Sequence, residues 1–255
     1  MKRGRTLRLS LARRLVMDWM SFSRRTAVIA LERRIHIPEV AQARLAADPK
    51  PGWYSLFLKA FGIAGTAMPE LRRSLLTVPY SRLYEHPEST ALIAVERELE
   101  GERAVLSYPL HRPEGKSLNE IDSELAMLRT RPLHEVKAFR RAVRVARLPR
   151  PLRHLILATG LQVRGAWRQR YFGTFMASNV APAGADLTHG LSIHTAFLSP
   201  AAVEADGHTT LRLFVDHRVI DGATVARALV EMEAALRGPL LAELRSLARH
   251  SDSPL

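Results

Sequence analysis

Hydrophobic and polar positions along the chain alternate between two periods, and the switches mark out the elements. Ser10 to Ser21 reads as a helix, with Leu11, Leu15, Met17 and Trp19 set among arginines. Thr26 to Ile37 alternates and is rich in β-branched residues, which predicts a strand. Ile37-Pro38 ends it, and Glu39 to Ala47 reads as a short helix before a Pro49 to Gly52 loop. Trp53 to Met68 carries Leu56, Leu58, Ala60, Phe61, Ile63 and Ala64 at helical spacing, and Leu75 to Tyr84 is strand-like. Glu88 to Glu98 predicts a strand covered on both faces, because Ala91 to Val95 is apolar throughout. Glu100-Gly101-Glu102 is a turn signal that pairs this strand with Ala104 to Leu110 as a hairpin.

Leu118 to Thr130 follows as an amphipathic helix built on Ile121, Leu125 and Leu128. Strand patterns return at Thr174 to Asn179, Leu191 to Phe197 and Thr209 to Val215. Ala223 to Leu247 closes the chain as a helix broken near Gly238-Pro239. Strands and helices mixed in this order argue for an α/β (mixed α+β) fold, with no repeat or linker to divide it. The expectation is a single domain over residues 1–255, with its core at about 10–240.

Composition narrows the chemistry. The 255 residues include no cysteine, which excludes disulfides, thiolate nucleophiles and cysteine-based zinc sites. No apolar run approaches the ~20 residues of a membrane helix, and no apolar signal-peptide core follows the basic start, so a cytoplasmic location is expected. The net charge is +13, and arginine supplies 33 of the 38 basic residues. Residues 137–170 hold ten Lys or Arg and no acid. Arg140, Arg144 and Arg147 share one helical face there, opposite Phe139, Ala142, Val143 and Ala146. Three readings stay open for this segment: a solvated face, a surface for an anionic partner such as phosphate, and peripheral membrane contact. Nucleic acid is not expected as a partner, since aromatic residues make up only 6% of the chain and no nucleic-acid motif appears.

One stretch carries chemistry: Phe214-Val215-Asp216-His217-Arg218-Val219-Ile220-Asp221-Gly222-Ala223, a strand running into a turn and then a helix. A lone histidine is ordinarily a satisfied core residue. A histidine on a strand-to-helix turn, with Asp221 to fix the turn and Gly222 to permit close backbone approach, is a built site.

This stretch resembles the D-H-R-x-x-D-G signature of the dihydrolipoyl acyltransferases, the 2-oxoacid dehydrogenase acyltransferase catalytic domains, which are relatives of chloramphenicol acetyltransferase. Upstream, Phe172-Gly173-Thr174-Phe175-Met176-Ala177-Ser178-Asn179 is similar to the family's G-G-T-F-T-I-S-N strand, with Phe172 and Met176 as departures. The resemblance implies a chloramphenicol acetyltransferase-like two-layer sandwich. It implies acyl transfer, other than of amino-acyl groups, between a thioester and a thiol, hydroxyl or amine. His217 would be the general base, Ser178 the oxyanion donor and Asp221 an orienting ion-pair partner, to Arg13, Arg14 or Arg218. Coenzyme A would serve as the acyl-CoA substrate, with Asn179, Gly222, Arg140, Arg144 and Arg147 as candidate contacts and no metal.

A homotrimer, or a higher assembly of trimers, would pair the histidine of one chain with the serine of its neighbour. Family members normally carry a lipoyl domain and a peripheral subunit-binding domain before this core, and neither is expected here. The acceptor would then be a small molecule, or a lipoyl or other carrier domain supplied in trans. The arginine-rich stretch 137–170 and Arg25-Thr26, in place of the family's P-H, depart from the pattern. Two alternatives remain: a non-catalytic structural subunit, and a basic protein that binds anionic surfaces.

Overall fold

A computed structural model describes residues 4–251 and, within them, the side chains up to Arg249. In chain order the elements are α1 (Leu11–Ser23), β1 (Val28–His36), α2 (Pro38–Ala46), α3 (Trp53–Ala67), β2 (Arg73–Leu76), β3 (Arg82–Glu85), β4 (Thr90–Leu99) and β5 (Glu102–His111). Then come α4 (Leu118–Thr130), α5 (Lys137–Ala146), α6 (Arg150–Ala158), α7 (Gly165–Phe172), β6 (Phe175–Ala177), β7 (Ala196–Leu198), β8 (His208–Asp216), α8 (Gly222–Ala235) and α9 (Leu241–Ser251). Local chemistry sets many of the ends. Ser10 caps α1, Ser117 and Glu120 form a reciprocal capping box at α4, and Pro149 stands at the N-cap of α6 with Pro151 in its first turn.

Six strands form one mixed sheet in the order β1-β8-β7-β6-β4-β5. β6 runs parallel to both β4 and β7, and the other pairings are antiparallel. Alternate residues carry the core: Ala91, Ile93 and Val95 of β4, Phe175 and Ala177 of β6, Leu211, Leu213 and Val215 of β8. They pack with α3, α4 and α8, and Leu56, Leu58, Ala60 and Phe61 of α3 are fully buried. Burying each Leu or Phe contributes about 1.5–3 kcal/mol, so this layer holds the sheet ends in fixed relation. The mixed α/β architecture is the one the sequence implies. Among the described residues, no helix is long and apolar enough to cross a membrane.

Two strand expectations are corrected. Leu75 to Tyr84 is not one strand but the end of β2, a turn and most of β3 in a separate two-stranded hairpin, and Pro79 within that turn brings no amide hydrogen to a ladder. Leu191 to Phe197 joins the sheet only from Ala196. Its polar residues are buried and bonded elsewhere: Ser192 Oγ to His194 Nδ1 at 3.0 Å, His194 Nε2 to the Phe172 carbonyl at 2.6 Å, and Thr195 Oγ1 to the Arg73 carbonyl. The segment before β7 instead covers the second sheet face. A Cβ on Gly190 would lie 2.6 Å from Phe197 and 2.7 Å from Phe214.

Candidate active site

β8 ends at Asp216, whose side chain is buried, and the chain then turns sharply outward. The Val219 and Ile220 amides both donate to the Asp216 carbonyl, at 2.9 and 3.2 Å. The His217 amide donates to the Ala27 carbonyl at 2.8 Å and ties the turn to the start of β1. Arg218 doubles back in a fork onto Asp216, Nε to Oδ1 at 2.8 Å and Nη2 to Oδ2 at 2.7 Å. That pairing raises the Arg218 pKa, chiefly through the hydrogen bonds to Asp216.

His217 stands exposed at the apex, with Nδ1 at 3.1 Å from the Ile220 carbonyl. A carbonyl oxygen only accepts, so Nδ1 is the donor here, and the neutral ring has its lone pair on Nε2. This is the tautomer a general base needs.

Asp221 braces the turn, but not through the ion pair expected. It is the N-cap of α8, and its Oδ1 accepts from the Thr224 amide at 2.8 Å. Hydrogen bonds from Thr224, with a smaller contribution from the Arg227 charge, hold its carboxyl below the usual range. Among the described residues it makes no salt bridge with Arg13, Arg14 or Arg218; Arg218 belongs to Asp216 instead. Gly222 opens α8 but needs no special room, since an added Cβ would meet only Leu31 Cδ2, at 4.0 Å.

The second motif is mostly scaffold. Gly173 has φ +81, and a Cβ there would come within 2.7 Å of the Thr90 carbonyl, so glycine is required. Thr174 Oγ1 accepts from the Thr90 amide at 2.9 Å, and Phe175 packs on Phe61 with ring centroids 4.1 Å apart. Ser178 is the first residue beyond β6. Its amide donates to the Leu198 carbonyl at 3.1 Å, and its half-buried hydroxyl has no hydrogen-bond partner among the described residues. Asn179 follows it, also half-buried.

The topology keeps Ser178 and His217 of one chain apart. Ala177 pairs with Leu198, and Leu198 with Leu213, so the Ser178 row lies level with Ser199 and Arg212. His217 lies at the opposite end of β8, roughly 16 Å along the strand at about 3.3 Å per residue, and two strands away. Each end has its own cleft. One of about 350 Å³ opens near the Ser178 end, among Arg34, Ala181, Asp186, Glu204 and His208. One of about 120 Å³ lies between Arg25, Arg168, Asp216 and Arg218.

Arg140, Arg144 and Arg147 are exposed on α5, which packs on β5, the sheet edge farthest from β1 and β8. Arg140 donates to the His134 carbonyl at 3.2 Å, and Arg147 pairs with Glu100 at 3.1 Å. They do not converge on His217 of the same chain. Two other arginines of the basic segment are buried. Arg153 grips Asp18, with Nε to Oδ2 at 2.6 Å and Nη2 to Oδ1 at 3.1 Å. Arg168 donates to the backbone carbonyls of Leu75, Leu161 and Ile193. No local pattern marks them, because their partners are distant in sequence. Among the described residues, no cluster of three or more His, Cys, Asp or Glu is placed to hold a metal.

This sheet order with its helical layer is the fold of dihydrolipoamide acetyltransferase catalytic cores. A probable dihydrolipoamide acetyltransferase from Listeria monocytogenes superposes with a TM-score of 0.64 at 17% identity, over 91% of this chain and 94% of that one. The Azotobacter vinelandii dihydrolipoamide acetyltransferase gives 0.63 at 18% identity, over 94% and 95%. A truncated catalytic core of the 2-oxoacid dehydrogenase multienzyme complex from Thermoplasma acidophilum gives 0.64 at 17% identity, over 92% and 99%. No family model matches the sequence, and no curated protein matches it.

Proposed function

We propose that this chain is an acyltransferase that moves an acyl group between a thioester of coenzyme A and a thiol, hydroxyl or amine acceptor. The observation that carries the reading is the state of His217: Nδ1 is engaged by the Ile220 carbonyl and Nε2 is free, on a turn that Asp216, Arg218 and Asp221 hold rigid. The fold adds support, since the structures it resembles are acyltransferase cores. The study of the Azotobacter enzyme concerns a serine, a histidine and an asparagine four positions after the histidine in its catalytic mechanism. Ser178, His217 and Asp221 are the candidates for those places here.

In this mechanism His217 Nε2 takes the proton from the attacking acceptor, which adds to the thioester carbonyl. Ser178 Oγ donates to the oxyanion that forms, and the thiolate leaves with the proton returned by His217. Because Ser178 and His217 of one chain lie far apart, the reading needs a cyclic assembly in which one chain's serine meets its neighbour's histidine. A homotrimer, or a larger assembly of trimers, is proposed. The acceptor is a small molecule, or a lipoyl or carrier domain brought in trans.

The test is a panel of acyl-CoA thioesters against acceptors, including free dihydrolipoamide, with CoA release followed by thiol titration. His217→Ala should lower the rate roughly 10²–10⁴-fold with the fold and assembly unchanged. Turnover near wild type in that variant removes the proposal and favours a non-catalytic structural subunit.

A further inference from the structure

The 120 Å³ cleft beside the catalytic turn carries more positive than negative charge among the described residues. Arg168 lies in its wall with only 5% of its surface exposed. Its Nη1 donates to the Leu161 carbonyl at 2.8 Å and the Leu75 carbonyl at 3.2 Å, and its Nη2 to the Ile193 carbonyl. Those bonds satisfy donors but cancel no charge. Its Nε is buried without a partner, and no carboxylate lies within salt-bridge distance of it among the described residues. Burying a cation is costly unless an anion accompanies it.

The rest of the wall adds to the imbalance. Arg25, exposed at the mouth, makes no ion pair among the described residues. Arg218 and Asp216 also line the cleft, but Asp216 is the only carboxylate there among the described residues and Arg218 occupies both its oxygens. Three guanidinium groups therefore face one carboxylate. Nearby His86 and His194, which sense the Arg168 charge, are held neutral by burial, to pKa values of about 4 and about 3, and offer no negative charge. Thr77 and Gln162 supply neutral donors at the same cleft.

From this geometry we infer that the cleft is a binding site for a single oxyanion group, a carboxylate or a phosphate carried by a small molecule. At about 30 Å³ per water it holds about four waters, room for one such group and not for a nucleotide. The anion offsets the Arg168 charge in the wall and reaches Arg25 across the mouth. The ring of His217 is not part of this wall, although its sequence neighbours on both sides are, so the inference stands apart from the acyl-transfer reading.

The test is isothermal titration of the full-length purified protein with inorganic phosphate and, separately, with malonate, at constant ionic strength. Saturable binding of either anion at one site per chain is expected, and which of them binds tells phosphate from carboxylate. Arg25→Gln should weaken binding about tenfold or more, the size of a lost charge-assisted hydrogen bond. Arg168→Gln should abolish it. Because Arg168 also ties three backbone segments and its loss can unfold the chain, Thr77→Val is the second variant, with a smaller loss expected. Absence of saturable binding by both anions overturns the inference. So does binding that Arg25→Gln and Thr77→Val leave unchanged, or that falls only when Arg144 on α5 is replaced.

Discussion

His217→Ala chains and Ser178→Ala chains, each expected to be nearly inactive alone, are unfolded together and refolded at equal concentration. Within one chain the two residues lie at opposite ends of the sheet, roughly 16 Å apart along the strand direction. A hydroxyl must come within about 3 Å of the oxyanion it stabilises, so one chain cannot supply both groups to one reacting centre. In a closed ring, each site takes its serine from one chain and its histidine from the next. A site is intact when the first chain is His217→Ala and the second is Ser178→Ala. With random mixing that holds for about a quarter of sites whatever the ring size, so about 25% of wild-type activity should return. At a 3:1 mixture recovery should fall to roughly a fifth, because intact sites follow the product of the two fractions. Each single variant contributes a background of about 1% or less. Native mass spectrometry verifies mixing, and CoA release reports activity. Mixed assemblies with no recovery at any ratio would refute the shared-site argument, and Ser178 would lose its role.

Three further outcomes follow from contacts away from that question. Asp18→Asn leaves the buried Arg153 guanidinium without its counter-charge, which costs about 3–5 kcal/mol; calorimetry should show melting lowered by about 6–9 °C, and a fall under about 2 °C would contradict it. His86 and His194 have pKa values lowered to about 4 and about 3 by burial and by the Arg168 charge, so the unfolded chain binds protons that the folded chain refuses. Their contribution is complete above about pH 6.5 and is lost as pH falls toward 4, about 2–3 kcal/mol between pH 7.5 and 5.5 by urea unfolding, and unchanged stability over that range would disprove it. Asp221→Asn should melt within about 1 °C of wild type, since asparagine caps a helix as well as aspartate, while Asp221→Ala should melt about 2–3 °C lower.

The helices were the most legible part of the chain. Leu118 to Thr130 matches α4 at both ends because its capping box and its apolar stripe are local signals. The exposed arginine face of α5 was legible for the same reason. What stayed hidden depends on partners far along the chain. Arg153 reaches back to Asp18, and Arg168 joins carbonyls of three separate segments, so a run whose readings were all of surface arginines contains two buried cations. The Leu191 to Phe197 alternation misled because the period that fits a ladder also fits a covering segment. Buried Ser192, His194 and Thr195 decide between the two, and their partners at Phe172 and Arg73 cannot be read from spacing.

The D-H-R-x-x-D-G motif shows how one short pattern divides its labour. Asp216 and Arg218 lock onto each other across the turn, and Asp221 caps the next helix. None of the three has to touch a substrate to matter. Their joint effect is to hold the Ile220 carbonyl under His217 Nδ1, which fixes the tautomer and aims Nε2 outward. A general base, the role proposed for His217, gains from such restraint because its lone pair must meet the acceptor's proton in one geometry. The sequence distinguishes the histidine from its neighbours only by residue type. The hydrogen bonds separate them by position: Asp221 braces the turn as a helix cap and not through an arginine.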